Sequence, residues 1–148
     1  MLRPFSPPDL AELLDAWYEA SLIAHSFLPE EFFDKEREQI AHNWIPTADV
    51  TVFEDEGRVV GFVAMVDNEV GGLFVHPDFQ RRGIGRALLD SVRKSRPYLE
   101  LDVFAANEIG LRFYRAYGFD FVDRHTSEAT GHPEIRLRFE GDRTEAAG

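Results

Sequence analysis

The feature that most constrains the fold is a glycine-containing turn between an apolar segment and an amphipathic one. The turn is Gln80-Arg81-Arg82-Gly83-Ile84-Gly85, with Leu73-Phe74-Val75-His76-Pro77 before it and Arg86-Ala87-Leu88-Leu89 after it. An apolar run that ends at a proline, followed by two glycines and then apolar residues at helical spacing, predicts a strand, a turn and a helix. The first N–H groups of such a helix have no acceptor within it, and Gly83 and Gly85 carry no Cβ, so a bulky anion can approach the backbone. The turn therefore predicts a phosphate-binding site.

Charge and spacing narrow the choice of phosphate ligand. Between Gln80 and Arg96 basic residues outnumber acidic ones six to one, although the chain as a whole has a net charge of −11. A dinucleotide fingerprint requires a third small residue where Leu88 stands, and a P-loop requires a Gly-Lys-Ser/Thr sequence that does not follow this turn. The local basic charge in an acidic chain thus indicates an anionic ligand of another class.

Composition bounds the class of protein. A chain of 148 residues with 44% hydrophobic residues predicts one folded domain, which we place at residues 1–140, with 141–148 as a frayed tail. No apolar run approaches the ~18–20 residues of a membrane span. The absence of cysteine excludes disulfides, thiolate zinc sites and a cysteine nucleophile. The acidic balance argues against nucleic acid as a partner. We expect a cytoplasmic protein without a membrane or nucleic-acid partner.

Periodicity predicts an alternation of strands and helices. A first strand at Leu2–Phe5 precedes a helix capped by Ser6, and a second helix begins near Pro29 with Phe33, Ile40 and Trp44 as its buried stripe. The remaining predicted elements are a three-stranded meander over Val50–Val75, a helix over Gly83–Ser95, a strand at Leu99–Val103, a helix from Asn107 to Tyr117 ended by Gly118, and strands at Phe119–His125 and Glu134–Phe139. In the last helix we assign Ile109, Phe113 and Ala116 to the core.

A second distinctive stretch is Asn107-Glu108-Ile109-Gly110-Leu111-Arg112-Phe113-Tyr114, followed by Tyr117-Gly118-Phe119. This stretch and the Leu73–Leu89 segment resemble the two motifs of the GNAT superfamily of N-acetyltransferases. The resemblance implies an α/β (α+β) fold with a central mixed, mostly antiparallel sheet of about seven strands flanked by about four helices. It also implies an acyltransferase that moves an acetyl group from acetyl-coenzyme A to a primary amine by direct attack on the thioester. A small molecule, a peptide and a protein lysine are the candidate sources of the amine.

The same resemblance suggests roles for individual residues. Pyrophosphate is expected to bind to the segment Gln80, Arg81, Arg82, Gly83, Ile84, Gly85 and Arg86. The backbone of Phe74 and Val75 is expected to bind the pantetheine arm and the thioester carbonyl. Asn107 is a good N-cap and is expected to contact the arm as well. Tyr114, with an ordinary pKa near ~10, is expected to protonate the departing thiolate. Tyr117 is the second candidate, although packing is the simpler interpretation of it.

The general base is not identified by the sequence. Many family members place a glutamate just before the Leu-Phe-Val segment, where this chain has Gly71-Gly72, and Glu69 is expected to lie in a turn. Deprotonating a lysine-like amine at neutral pH costs roughly 4–5 kcal/mol, so a base elsewhere or a water chain must serve. The acidic residues of the second helix (Glu30, Glu31, Asp34 and Glu36) are interpreted as a solvated face that could also attract a cationic acceptor.

The acceptor pocket is predicted where the first two helices meet. Trp17, His25 and Phe27 are its candidate residues, with His132 covering the same cleft. His76 is interpreted as structural and His42 and His125 as surface residues, and we expect no metal because no metal-ligand spacing stands out. Three questions stay open: whether the domain is a catalytically silent acyl-coenzyme A binding or sensing domain, whether it uses a longer acyl donor or a hydroxyl acceptor, and whether it is a monomer or a homodimer.

Overall fold

Seven strands form one twisted sheet in the computed structural model, which describes residues 1–140. The strands are β1 (Leu2–Pro4), β2 (Asp49–Asp55), β3 (Arg58–Val66), β4 (Glu69–Val75), β5 (Leu99–Phe104), β6 (Asp120–Thr126) and β7 (Pro133–Phe139). Their order across the sheet is β1-β2-β3-β4-β5-β7-β6. Only β4 and β5 are parallel, and every other neighbouring pair is antiparallel. The predicted α/β fold, with a mixed and mostly antiparallel sheet, is confirmed.

Four α-helices cover the sheet. They are α1 (Leu10–Ala24), α2 (Glu30–Gln39), α3 (Ile84–Arg93) and α4 (Glu108–Tyr117). Short 3₁₀ turns at Pro7–Asp9 and Pro77–Phe79 precede α1 and α3, and a π-helical turn, Ile40–Trp44, extends α2. The carboxylate of Asp9 accepts a hydrogen bond from the Ser6 N–H at 2.8 Å, which ties the chain entry to the first turn. The 141–148 tail predicted from the sequence lies outside the described residues.

Each face of the sheet has its own core. On one face α3 and α4 pack over residues such as Leu88, Leu99, Leu101, Val103 and Phe119. On the other face α1 and α2 pack over Val52 and Phe62, with Leu13, Trp17 and Phe33 buried beneath the helices. Strand β5 alternates between the two faces, because Leu101 and Val103 join the first core and Phe104 packs against the second.

Strands β4 and β5 part almost as soon as they meet. Their register contains one pair, Glu69 with Glu100. Arg136 of β7 holds this closed end, since its guanidinium donates hydrogen bonds to both carboxylates and lies 3.3 Å from Asp102 Oδ2. Beyond this clamp β4 and β5 diverge, and the edges of both strands face a cleft.

Two helix faces differ from the sequence prediction. Trp44 is 41% exposed because the π-helical turn takes it off the buried stripe of Phe33 and Ile40. In α4, Ile109 is 51% exposed and Ala116 is also exposed, so the assigned core face is wrong for both. The face that packs on the core contains Leu111, Phe113, Tyr114 and Tyr117. The aromatic residues at three- and four-residue spacing, rather than the aliphatic Ile109, define the buried side.

Candidate active site

The parting strands open a cleft of about 620 Å³ that runs through the centre of the domain. The N-terminal turn of α3 lies at one end, and α1, α2 and the π-helical turn form the wall at the other end. Between them the cleft is lined by β4 from Val70 to Val75 and by β5 from Leu101 to Phe104. Alternate residues of an edge strand point their N–H and C=O groups sideways, so β4 offers an extended ligand an unpaired row of backbone groups.

The α3 end has the backbone geometry of an anion site. Gly83 adopts φ +80°, and a Cβ built on it would meet nothing within 4 Å. The first helical hydrogen bond runs from the Ala87 N–H to the Gly83 oxygen at 3.0 Å, so the N–H groups of Ile84, Gly85 and Arg86 precede the helical ladder. Arg81 and Arg86 also line the cleft at this end. Free donors, open space and positive charge therefore meet at one place.

Gly85 lines the cleft and also has a packing role that the sequence did not predict. A Cβ at this position would lie 3.1 Å from Cζ of Phe113, so Gly85 allows α4 to pack closely against α3. The missing Cβ of Gly83 faces open space, whereas the missing Cβ of Gly85 makes room for Phe113 and leaves the Gly85 N–H at the start of α3. The local charge is also divided. Arg82 lies over the Phe79 ring (5.1 Å) and does not line the cleft, and Arg93, Lys94 and Arg96 lie at the far end of α3, about 15 Å away.

Gln80 and Asn107 hold the backbone around the cleft. The Gln80 side chain donates a hydrogen bond to the Val75 oxygen at 2.9 Å, which fastens the turn to the end of β4. Asn107 is buried, and its Oδ1 accepts a hydrogen bond from the Gly110 N–H at 2.9 Å, so the predicted N-cap is confirmed. Phe74 and Val75, predicted to meet the arm of the donor, line the cleft beside them.

The two tyrosines of α4 have separate environments. Tyr114 lines the cleft between the rings of Phe113 and Phe119, and its hydroxyl makes no hydrogen bond to residues 1–140. Burial raises the pKa of the Tyr114 hydroxyl, so it stays protonated at neutral pH. Tyr117 instead donates a hydrogen bond to Asp90 at 2.7 Å, on the α3 side and away from the cleft. Of the two, only Tyr114 can deliver a proton into the cleft.

The far end of the cleft is an aromatic enclosure. Its rings come from five elements: Trp17 of α1, Phe32 and Phe33 of α2, Trp44 of the π-helical turn, Phe74 of β4 and Phe104 of β5. A Cβ on Gly71 would lie 2.9 Å from Cη2 of Trp44. The indole of Trp44 therefore occupies space that side chains at Gly71 and Gly72 would fill. Gly71-Gly72, the position at which the family resemblance implied a glutamate, is thus covered by Trp44.

His25 lies in this enclosure as the sequence predicted, with its ring 5.1 Å from that of Phe104. Burial lowers the pKa of His25 to about 4, so the imidazole is neutral at pH 7. The rings of Phe27 and His132 are in contact, with their centroids 5.0 Å apart and their planes tilted by 60°, and neither residue lines the cleft. The predicted pocket therefore contains Trp17 and His25, while Phe27 and His132 support it from outside.

Two polar residues of the enclosure were not identified from the sequence. Ser21 is fully buried, and its Oγ has no hydrogen-bond partner within the part of the chain that the structure describes. Glu36 lines the cleft half-buried, so the solvated-face interpretation of this residue is wrong. A signal was present, because Glu36 lies three residues after Phe33 and four before Ile40, within the apolar stripe of α2.

Other acidic residues nearby are paired. Glu69 begins β4 rather than lying in a turn, and it is bound to Arg136. Asp102, His125 and Glu134 present ligand atoms within 4.8 Å of one another, an arrangement that their spacing in the sequence did not reveal. Hydrogen bonding to Asp123 and the nearby carboxylates raise the pKa of His125, which is thus a partly buried member of an ion cluster and not a simple surface residue. His76 is structural as predicted, since its Nδ1 accepts a hydrogen bond from the Asp78 N–H at 3.2 Å.

The mixed sheet that parts beside a helix N-terminus and the tyrosine in the cleft lining agree with the class that the resemblance implies, the acyl-coenzyme A-dependent transferases. Residues 46–120 match the family model described as the acetyltransferase (GNAT) domain. The chain belongs to this family and is an acetyl-coenzyme A-dependent N-acetyltransferase that uses an amine acceptor, as predicted. The catalytically silent alternative is not favoured. Among the described residues, no helix is long and apolar enough to cross a membrane.

Comparisons with known proteins agree. The chain is 30% identical over 134 residues to the peptidyl-lysine N-acetyltransferase YiaC of Escherichia coli strain K12, covering 90% of this chain and 92% of that protein. The solution structure of apo-form YjaB from Escherichia coli superposes with a TM-score of 0.84 at 24% identity, covering 96% of this chain and 98% of the other. The PaiA N-acetyltransferase of Thermoplasma acidophilum, solved in complex with coenzyme A, gives a TM-score of 0.79 at 19% identity, covering 95% and 98%. The last two comparisons show a shared fold.

Proposed function

We propose that this chain transfers the acetyl group of acetyl-coenzyme A to the ε-amine of a lysine in a peptide or protein. The observation that carries the proposal is the continuity of the cleft, which joins an anion site at α3 to an aromatic enclosure at α1 and α2. Relatives named peptidyl-lysine N-acetyltransferases, which align over most of this chain, support the choice of acceptor.

The donor would occupy the α3 and β4 side of the cleft. Its pyrophosphate would lie at Gly83 and accept hydrogen bonds from the N–H groups of Ile84, Gly85 and Arg86, with Arg81 and Arg86 supplying positive charge. The pantetheine arm would follow the free edge of β4 at Phe74 and Val75, close to Asn107. A β4 amide directed at the thioester oxygen would stabilise the negative charge that forms there during attack. We include Arg82 only as a more distant contributor of charge.

Tyr114 would complete the reaction on the leaving-group side. Its hydroxyl faces the cleft, carries a proton at neutral pH, and has no protein partner among residues 1–140 that would hold that proton elsewhere. Transfer of this proton to the departing sulfur would prevent the thiolate from returning to the acyl carbon.

The acceptor would enter through the aromatic enclosure. Trp17, Trp44 and Phe104 provide apolar walls that suit the four methylene groups of a lysine, and aromatic faces attract an ammonium group. We further propose that the enzyme acts in the cytoplasm and that no step of the reaction uses a metal ion. That it works as a monomer or a homodimer stays a prediction.

The test is a comparison of acceptors. Purified protein and acetyl-coenzyme A are incubated with a peptide that has an internal lysine and a blocked N-terminus, a lysine-free peptide with a free N-terminus, and small amines. We expect thiol release with the first peptide and a product heavier by one acetyl group on the lysine. Turnover of the second peptide or of a small amine alone would contradict the lysine acceptor. Parallel reactions with propionyl- and succinyl-coenzyme A test the donor.

A further inference from the structure

The lining of the cleft contains three carboxylates, and two of them are already paired. Asp102 Oδ2 lies 3.3 Å from Nη1 of Arg136, and Glu134 Oε1 lies 3.2 Å from Nε2 of His125. The third, Glu36, makes no ion pair or hydrogen bond with any of residues 1–140. It is therefore the carboxylate of this lining that is available to a ligand.

Glu36 lies in an apolar setting that is unusual for an unpaired acid. It follows Phe33 by one helical turn, and Phe33 packs edge-on to Trp17 at 6.3 Å. Burial raises the pKa of the Glu36 carboxyl above its ordinary value. A half-buried charge without a partner costs free energy, which a cationic ligand in the cleft would recover.

The charged groups around Glu36 do not supply that cation. Arg37, the next residue of α2, does not line the cleft, and its guanidinium lies over the rings of Tyr18 (5.0 Å) and Trp17 (5.8 Å). The titratable group that α1 contributes to the lining is His25, which is neutral at pH 7, and the lining residues of β4, from Val70 to Val75, include no titratable side chain. The other titratable residues of the lining are Arg81, Arg86, Asp102, Glu134 and Tyr114, and they belong to the α3, β5, β7 and α4 sides.

We propose that Glu36 binds the ammonium group of the acceptor and removes one of its protons, and is thus the general base that the sequence did not reveal. The inference rests on the proposed N-acetyl transfer. The ammonium gives a proton to the Glu36 carboxylate and becomes a neutral amine. The amine nitrogen then forms the C–N bond while the C–S bond breaks, and the second nitrogen proton replaces the one that Tyr114 gives to sulfur. The products are an amide and a thiol, and Glu36 returns its proton to solvent.

The experiment compares Glu36→Gln with Glu31→Gln. Both changes remove one negative charge from α2, but Glu31 is exposed and does not line the cleft. The first measurement is calorimetric binding of n-butylammonium chloride to coenzyme A-saturated protein, which requires no turnover. The second is the pH dependence of kcat/KM for the peptide with an internal lysine and a blocked N-terminus. Coenzyme A affinity is measured for all three proteins to establish that the donor site is intact.

We expect Glu36→Gln to bind butylammonium at least about tenfold more weakly and to lose about 100-fold in kcat/KM near neutral pH. Its remaining rate should rise tenfold per pH unit towards the amine pKa of ~10.4, whereas the wild type should reach a plateau well below that pH. Glu31→Gln should match the wild type. Unchanged butylammonium affinity in Glu36→Gln, or a Glu36→Gln profile that keeps the wild-type plateau, would overturn the proposal.

Failure of the proposed function gives a different result. If the wild type releases no thiol with any amine, the transferase proposal fails, and the binding experiment still decides whether Glu36 holds an ammonium ion. If the wild type turns over while Glu36→Gln and Glu31→Gln behave alike, the transferase proposal stands and the role of Glu36 is wrong.

Discussion

The two ends of the cleft are built in different ways. The α3 end comes from one continuous segment, in which a strand, a turn with Gly83 at φ +80° and a helix N-terminus follow each other. The α1–α2 end is assembled from five elements whose side chains converge through tertiary packing. The first end binds through backbone groups and local geometry, and the second through side chains. A change in the first should therefore affect the donor for any acceptor, and a change in the second should affect the acceptor alone.

The largest effect is expected from Gly83→Glu. A carboxylate at this position enters the space assigned to the pyrophosphate and repels it, and coenzyme A affinity should fall about 1,000-fold or more, which corresponds to about 4 kcal/mol. Calorimetric titration with coenzyme A measures it.

The control for this variant is Gly57→Glu. Gly57 has φ +82° with nothing within 4 Å of a built Cβ, and it lies in the β2–β3 turn outside the cleft. Both variants carry the same left-handed strain of about 1–2 kcal/mol, so a difference between them isolates the anion site. Equal coenzyme A affinity in the two variants would show that the α3 turn does not bind the donor.

Tyr114→Phe tests the point where the two ends meet. Loss of the cleft-facing hydroxyl should lower kcat by about 100- to 1,000-fold, with coenzyme A affinity unchanged. Tyr117→Phe is the matched variant. It removes a hydroxyl from the same helix, but this hydroxyl is bound to Asp90. That variant should keep its kcat and lose about 1 kcal/mol of unfolding free energy. If both variants keep wild-type kcat in folded protein, the proton for the thiolate comes from another source.

This contrast explains what the sequence could and could not predict. The order of strands and helices along the chain, the Asn107 cap and the α3 turn follow from propensities and spacings within about a dozen residues, and all three were predicted. The place of Glu36 between Phe33 and Ile40 indicated its partial burial, but its position in the cleft depends on where α2 meets the sheet. The position of Trp44 depends on the π-helical turn at Ile40–Trp44 and on the missing side chains of Gly71-Gly72. Contacts of this kind are made between residues far apart in the chain, and no local pattern specifies them.

We expect His25, at the acceptor end of the cleft, to make the free energy of unfolding depend on pH. Its folded-state pKa of about 4 lies below the ordinary value of 6.5. Between pH 6.5 and 4 the unfolded chain binds a proton that the folded chain does not. The stabilisation is therefore complete above pH 6.5 and is lost as the pH falls, by up to about 3 kcal/mol. Urea unfolding at several pH values should show this loss in the wild type and a flatter curve for His25→Phe.

The control for that curve is His132→Phe, which changes a ring that contacts Phe27 outside the cleft. This variant should keep the acid-dependent loss between pH 6.5 and 4. A wild-type slope in His25→Phe would mean that His25 is accessible to solvent protons in the folded protein.

The smallest effect is expected from Ser21→Ala, and its direction is the informative part. The Ser21 hydroxyl is buried without a partner in the described part of the chain, so its removal should raise the unfolding free energy by about 1 kcal/mol. Ser91 in α3 donates its hydroxyl to the Leu88 oxygen at 2.7 Å, and Ser91→Ala should lose a few tenths to about 1 kcal/mol. If the acceptor end retains an unsatisfied hydroxyl to meet a polar ligand, Ser21→Ala should also lower kcat/KM for the amine several-fold while coenzyme A affinity stays constant. A stabilised variant with unchanged amine kinetics would instead limit the polar contacts of the acceptor end to Glu36 and His25.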